Sequence, residues 1–238
     1  MLQFLQRISL SDLSLEGNHM QKIRTYIFLL LLFSFKANSH VICDKLGNHY
    51  EYHDYDWVGS GKVGHVYKAI REEDGCLFVL KFSRSPSNYY VNKLLEKELG
   101  LITKWRELGL FPDGHVEWIK EKKVLIKPWV PGSTFSQHFE LDTLSKVMRR
   151  KFVDLFKELI KNGVFICDLS PNNLVFDPLK NCWQIIDSKE VLQGEGSIEF
   201  QNKWQAELEL RYIKNYGYIK KNPIKLEEMQ QLLKLIFY

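Results

Sequence analysis

The order of apolar segments predicts an α+β chain in two lobes, sheet first and helices after. Three observations carry this. Between Tyr50 and Phe82, short apolar runs are broken by glycines and charged turns, the pattern of antiparallel strands. Residues 89–108 and 141–162 carry apolar residues at helical spacing. Beyond residue 198 the chain reads as helical over 199–215 and 226–237.

The elements follow in order. Residues 50–58 are aromatic and valine-rich, 59–64 are glycine-punctuated, and 66–69 continue as a strand. The charged turn 71–75 separates that strand from a second apolar run, 77–82. Residues 116–119 and 124–127 read as another hairpin. The helix expected over 141–162 places Leu144, Met148, Phe152, Phe156 and Leu159 on one side, and Gly163 is a natural stop for it. Two short runs follow, 174–176 and 183–186.

Bulk properties exclude some classes. A net charge of +4, scattered along the chain, gives no basic stripe for nucleic acid. Four cysteines without a C-x-x-C pair do not read as a zinc or redox motif.

The N-terminal segment reads as a processing signal. Lys22 and Arg24 precede an apolar run, Tyr26 to Phe35, and Ala37 and Ser39 form an A-x-S pattern. The run is well short of the ~20 residues a membrane span needs. A signal belongs at the start of a chain, so translation is expected to begin at Met20. Residues 1–39 are therefore read as an extension plus signal peptide. The remainder is expected to be secreted or periplasmic, with no stable membrane span after cleavage.

The chemistry lies between residues 59 and 187. Gly59, Gly61, Gly64 and Val66 form G-x-G-x-x-G-x-V, whose glycines let backbone N–H groups approach phosphate oxygens. The loop runs into a strand, not into the helix that a dinucleotide-binding loop requires. Lys81 closes an apolar strand, where a charge needs a partner. Two glutamates compete for it. At about 100° per residue, Val91, Leu94, Leu95, Leu101, Ile102 and Trp105 share a helix face. Glu98 falls in the middle of that face and Glu96 points away, so Glu98 is the expected partner of Lys81. Further on, Asp168 and Asn173 keep D-L-x-x-x-N spacing, and Asp187 ends an apolar run 14 residues after Asn173. An aspartate can orient and accept the proton of a hydroxyl, and hard oxygen ligands suit Mg²⁺.

Taken together, these motifs resemble those of the protein-kinase-like superfamily, from about Tyr50 to Ser188. The resemblance implies a kinase-like fold, with a small antiparallel N-lobe over 40–127 and a reduced, mostly helical C-lobe over 128–238. It implies ATP binding through the glycine loop, with Lys81 on the α- and β-phosphates and adenine against backbone near 127–130. Asp168 and Lys81 become catalytic, and Asn173 and Asp187 become ligands of magnesium. The implied reaction moves the γ-phosphate to a hydroxyl acceptor, either protein Ser/Thr or sugar-like. The alternative is a nucleotide-binding pseudokinase that serves as a docking or regulatory module.

The chain departs from the family pattern in several places. Ile166 and Cys167 replace the His and Arg that usually precede the aspartate. Ser170 stands where many kinases carry a lysine, and Lys62 or Lys189 are candidates to replace its charge. Ser188 and Lys189 replace Phe-Gly, and only 51 residues follow Asp187. In this the chain is similar to small bacterial kinase-like proteins, including those acting on lipopolysaccharide core sugars. Export of an ATP-using enzyme points to delivery into another cell, because the periplasm lacks ATP.

Overall fold

The computed structural model describes residues 38–188, 190–194 and 197–238; the processing signal expected at the N-terminus falls almost wholly outside them. The described chain mixes helices with antiparallel strands, and its main sheet is curled into a half-barrel.

That sheet is built from β1 (Ser39–Cys43), β2 (His49–His53), β3 (Trp57–Ser60), β4 (Gly64–Arg71), β5 (Leu77–Ser83), β6 (Glu117–Ile119) and β7 (Val124–Pro128). Its order is β1-β2-β4-β5-β7-β6, and β3 pairs with the outer end of β4. All neighbours are antiparallel. The alternation of side chains explains why one face is apolar. Tyr50, Ala69, Phe78, Leu80, Val124 and Ile126 are buried together there. Strand β1 was not expected from the sequence, and residues 50–58 split into β2, a 3₁₀ turn and β3.

Between β5 and β6 runs α1 (Tyr89–Glu107). Asn88 starts it, its side chain accepting hydrogen bonds from the Tyr90 and Val91 N–H groups. Leu95, Glu98, Leu101, Ile102 and Trp105 are buried, as the helical spacing requires. Leu94, expected on the same face, is exposed instead.

After β7 come β8 (Ser133–Thr134), α2 (Phe135–Glu140) and α3 (Lys146–Lys161). The single helix expected over 141–162 thus begins later. Thr134 and Gln137 form a capping box for α2, and Ser145 caps α3 afresh by accepting from the Met148 N–H. Asp142, between them, sits at φ +57°, which breaks the helical path. Leu144, just before the cap of α3, and Met148, Phe152, Phe156 and Leu159 along it are all buried as expected. Gly163 ends the helix at φ +66°, and a Cβ there would strike the Gly194 carbonyl.

Three short ladders follow: β9 (Val164–Cys167) with β12 (Glu190–Gln193), and β10 (Leu174–Asp177) with β11 (Cys182–Ile185) and β8. The chain closes with α4 (Ile198–Glu209), a π-helical turn (Leu210–Lys214), α5 (Gly217–Lys220) and α6 (Pro223–Phe237). Phe135, Phe152, Phe156, Trp183, Trp204 and Tyr212 form an aromatic core here. The indoles of Trp183 and Trp204 donate to the Met148 and Val164 carbonyls, so neither leaves a buried N–H unpaired. Removing one ring, as in Phe156→Ala, is expected to cost about 3–5 kcal/mol. Among the described residues, no helix is long and apolar enough to cross a membrane, and none of the four cysteines is in a disulfide.

Candidate functional site

A cleft of about 450 Å³ separates the half-barrel from the helical part. Val58, Val66, Val79, Phe111, Val175 and Ile186 give it apolar walls, suited to a flat ring. Gly59, Ser60 and Gly61 rim one side. The strand end Lys127, Pro128, Trp129 and Val130 forms its inner edge. Lys81, Asn173 and Asp187 supply polar groups along the wall.

The glycines of the loop do different jobs. A Cβ at Gly59 or Gly61 would meet nothing within 4 Å, so space over the loop is open to a ligand. A Cβ at Gly64 would lie 2.4 Å from the Phe82 carbonyl oxygen. Gly64 is thus required by close packing of β4 on β5. The turn itself is closed by the Gly61 N–H on the Gly64 carbonyl at 2.9 Å. His65 lies within hydrogen-bond distance of the Ser60 hydroxyl across the loop, at 2.7 Å.

Behind the loop lies a buried ionic cluster. Lys81 Nζ donates to Glu98 Oε2 at 2.6 Å and to Asp187 Oδ2 at 3.1 Å. Glu98 is the partner and Glu96 is exposed, as the helical geometry required. The other oxygen of Glu98 is taken by a second lysine, Lys127, at 2.5 Å. Lys127 also donates to the Ile186 carbonyl at 2.7 Å. Burial by itself would raise the Glu98 pKa, but the two ammonium groups overcome it and hold the carboxyl well below its usual range. Burial likewise opposes charge on Lys81, and the Glu98 and Asp187 carboxylates reverse this and raise its pKa.

Lys127 was not singled out in the sequence as a charged partner. Its signal is the same as that of Lys81: a lysine closing a strand of buried residues. The two strands are neighbours, with Val79 opposite Lys127 and Lys81 opposite Leu125, so both lysines reach one glutamate.

The short ladders bring the remaining residues together. Asp168 follows β9, Asn173 precedes β10, and Asp187 lies two residues past the end of β11. The Ile186 N–H donates to the Asn173 carbonyl at 3.0 Å, and the Asn173 amide donates to the Asp168 carbonyl at 3.3 Å. Asp168 has φ +63°, sparsely populated for a side-chain-bearing residue and held here by its surroundings. Its backbone N–H donates to Glu207 at 3.0 Å, and its carboxylate meets Arg211 Nη1 at 2.6 Å. Arg211 also donates to Glu207 at 2.9 Å. It stands on the π-helical turn, a distortion frequent at functional sites. Nothing in the local sequence marks Glu207 or Arg211; they reach Asp168 only because α4 packs under β9.

Of the cations considered in place of Ser170, Lys62 is exposed on the glycine loop and Lys189 lies outside the described residues. A further polar group lies away from the cleft. His115 Nε2 is 3.2 Å from Asp44 and 3.3 Å from Glu117. Asp44 also accepts from the Asn48 amide and the Tyr50 hydroxyl, so the group fastens the β1–β2 turn to β6.

Asn173 and Asp187 fit a hard cation: both face the cleft, and the Asp187 carboxylate is 46% exposed, open to an oxygen-ligated ion. No protein-family model matches the chain, and no curated protein matches it in sequence.

Proposed function

We propose that the chain is an ATP- and magnesium-dependent phosphotransferase with a two-lobed, protein-kinase-like fold, residues 40–127 forming one lobe and 128–238 a reduced second one. The observation that carries this reading is the Lys81–Glu98–Asp187 cluster. It lies behind an open glycine loop, in a cleft whose far wall holds Asn173 next to Asp168.

The chemistry follows from the parts. The apolar walls sandwich the base, and the strand end from Lys127 to Val130 meets its edge. Loop N–H groups and Lys81 take up the phosphates. Magnesium, when bound by Asn173 and Asp187, neutralises charge on the phosphate oxygens. The acceptor hydroxyl oxygen forms a bond to the γ-phosphorus, the bond to the β-phosphate oxygen breaks, and ADP leaves. Asp168 accepts the hydroxyl proton. Arg211 fixes the Asp168 carboxylate in one orientation, and its charge lies beside the point of transfer, where Ser170 supplies none.

A hydroxyl of a protein Ser/Thr or of a sugar-like molecule is the acceptor, and a protein or lipid of another cell fits an exported enzyme. One observation favours a second reading, a nucleotide-binding regulatory module. The Asp168 carboxylate is already engaged by Arg211, as in a domain that no longer transfers phosphate.

The test is transfer of labelled γ-phosphate from ATP with Mg²⁺, comparing the full chain with Asp187→Ala. Transfer or hydrolysis lost in the variant supports the enzyme. Nucleotide binding without turnover, with protein and sugar acceptors supplied, supports the module. A folded chain that binds no nucleotide excludes both.

A further inference from the structure

Lys127 has a role that the phosphotransfer reading does not use. The cleft holds two buried ammonium groups, and they differ in what else they touch. Besides Glu98, Lys81 bonds the half-exposed Asp187 carboxylate at 3.1 Å. That partner can be withdrawn by a cation, and the ammonium can turn to phosphate. Besides Glu98, Lys127 bonds a backbone carbonyl, that of Ile186, at 2.7 Å. A carbonyl in the chain has nowhere to go. Lys127 therefore joins three elements at once: the end of β7, the middle of α1 through Glu98, and the segment that carries Asp187. None of these bonds passes through Lys81.

We propose that Lys127 is the positioning residue of the cleft: it docks α1 and the Asp187 segment permanently, and so frees Lys81 to exchange partners with a ligand. The role given to Lys81 rests on the phosphotransfer reading; the docking does not.

The physical reason is the cost of an unpaired buried carboxylate. With a single lysine, Glu98 would share its only counter-charge whenever phosphate arrived, and α1 would be free to move outward. With Lys127 present, each Glu98 oxygen has its own lysine, and when Lys81 turns to phosphate Lys127 still holds both Glu98 and the Ile186 carbonyl. The cleft is thus assembled before any ligand, partner or modification acts on it. This agrees with a chain that has Ile166 and Cys167 where a phosphate-sensing arginine would stand.

The experiment is hydrogen–deuterium exchange on the full chain, comparing wild type with Lys127→Met and Lys81→Met. Amides of residues 89–107 and 186–192 are followed, together with γ-phosphate transfer. Lys127→Met is expected to speed exchange in both segments by about tenfold or more, whereas Lys81→Met leaves them within about threefold of wild type. In transfer assays, Lys127→Met is expected to lower kcat with KM for ATP changed by less than about threefold, and Lys127→Arg to restore most of kcat. If the methionine variant does not fold, Lys127→Gln, which keeps a hydrogen-bond donor without the charge, is read in its place with the same expectation. Equal loosening by both lysine substitutions, or none by Lys127→Met, overturns the proposal. A wild-type chain that shows the exchange pattern but neither binds nor transfers nucleotide removes the phosphotransfer reading and the exchangeable role of Lys81, leaving the docking role in place.

Discussion

Two ionic clusters flank the cleft, and they are built on opposite terms. In the first, the side chains of Lys81, Glu98 and Lys127 are 7%, 6% and 5% exposed. In the second, Asp168 and Arg211 are each 23% exposed, and Glu207 16%. Charges out of water cannot exchange partners with solvent, so the Glu98–Lys127 pair behaves as a structural element, while the open Asp187 carboxylate leaves Lys81 one exchangeable partner. Asp168, Arg211 and Glu207 are more open than that, so water reaches their pairing and it is the more readily exchanged. On the phosphotransfer reading we propose, positioning is thus separated from proton transfer.

This contrast can be broken most sharply at Glu98. Glu98→Ala leaves two buried ammonium groups facing each other, and stability is expected to fall by about 3–5 kcal/mol in denaturant unfolding. Wild-type stability in the variant would remove the first cluster from any structural role. Arg211→Ala should behave in the opposite way. Its pairs are partly solvated, so stability should move by no more than about 1 kcal/mol. Transfer should nevertheless fall by about tenfold or more, because Asp168 loses the group that fixes its carboxylate. Unchanged transfer would show that Arg211 takes no part in the reaction.

The glycine loop sharpens the same distinction on a smaller scale. Gly64→Ala must push β4 away from the Phe82 carbonyl, and it should lower stability by about 1–3 kcal/mol. Gly61→Ala meets open space and should leave stability within about 0.5 kcal/mol while weakening ATP binding, as calorimetry would read. The reverse pattern would mean that the loop glycines have been assigned the wrong way round.

The smallest effect concerns pH. The Glu98 pKa is held below its ordinary value of 4.5 by Lys127 and Lys81, against burial. A depressed carboxyl pKa contributes stability that is fully present above the unfolded value and lost as pH falls through the folded one. Unfolding curves should thus show no pH dependence from this cluster between pH 6 and 8, where its stabilisation is complete. Below about 4.5 a progressive loss should appear, reduced in Lys127→Met. A loss that begins near neutral pH would contradict the assigned pairing.

Much of this site can be read along the chain, because its marks are local. A glycine loop between two strands, a lysine closing an apolar strand, and a glutamate centred on an apolar helix stripe each carry their own signature. The buried face of α3 follows from helical spacing in the same way. The misread parts were those where local pattern competes with long-range packing. The expected helix over 141–162 starts at Lys146 because Ser145 offers a second cap, and β9 pairs with β12 across more than twenty residues of intervening chain.

By itself, then, the sequence picked out most of the groups gathered here: Gly59, Gly61, Val66, Lys81, Asn173 and Asp187 line the cleft, with Glu98 bonded to Lys81 and Asp168 to Asn173. Only the tertiary structure decided how those groups are held. It brought Lys127 to the free oxygen of Glu98 through the pairing of β5 with β7. It brought Arg211 and Glu207 to Asp168 through the packing of α4. Contacts between distant segments depend on how whole elements pack, and no window of neighbouring residues records that.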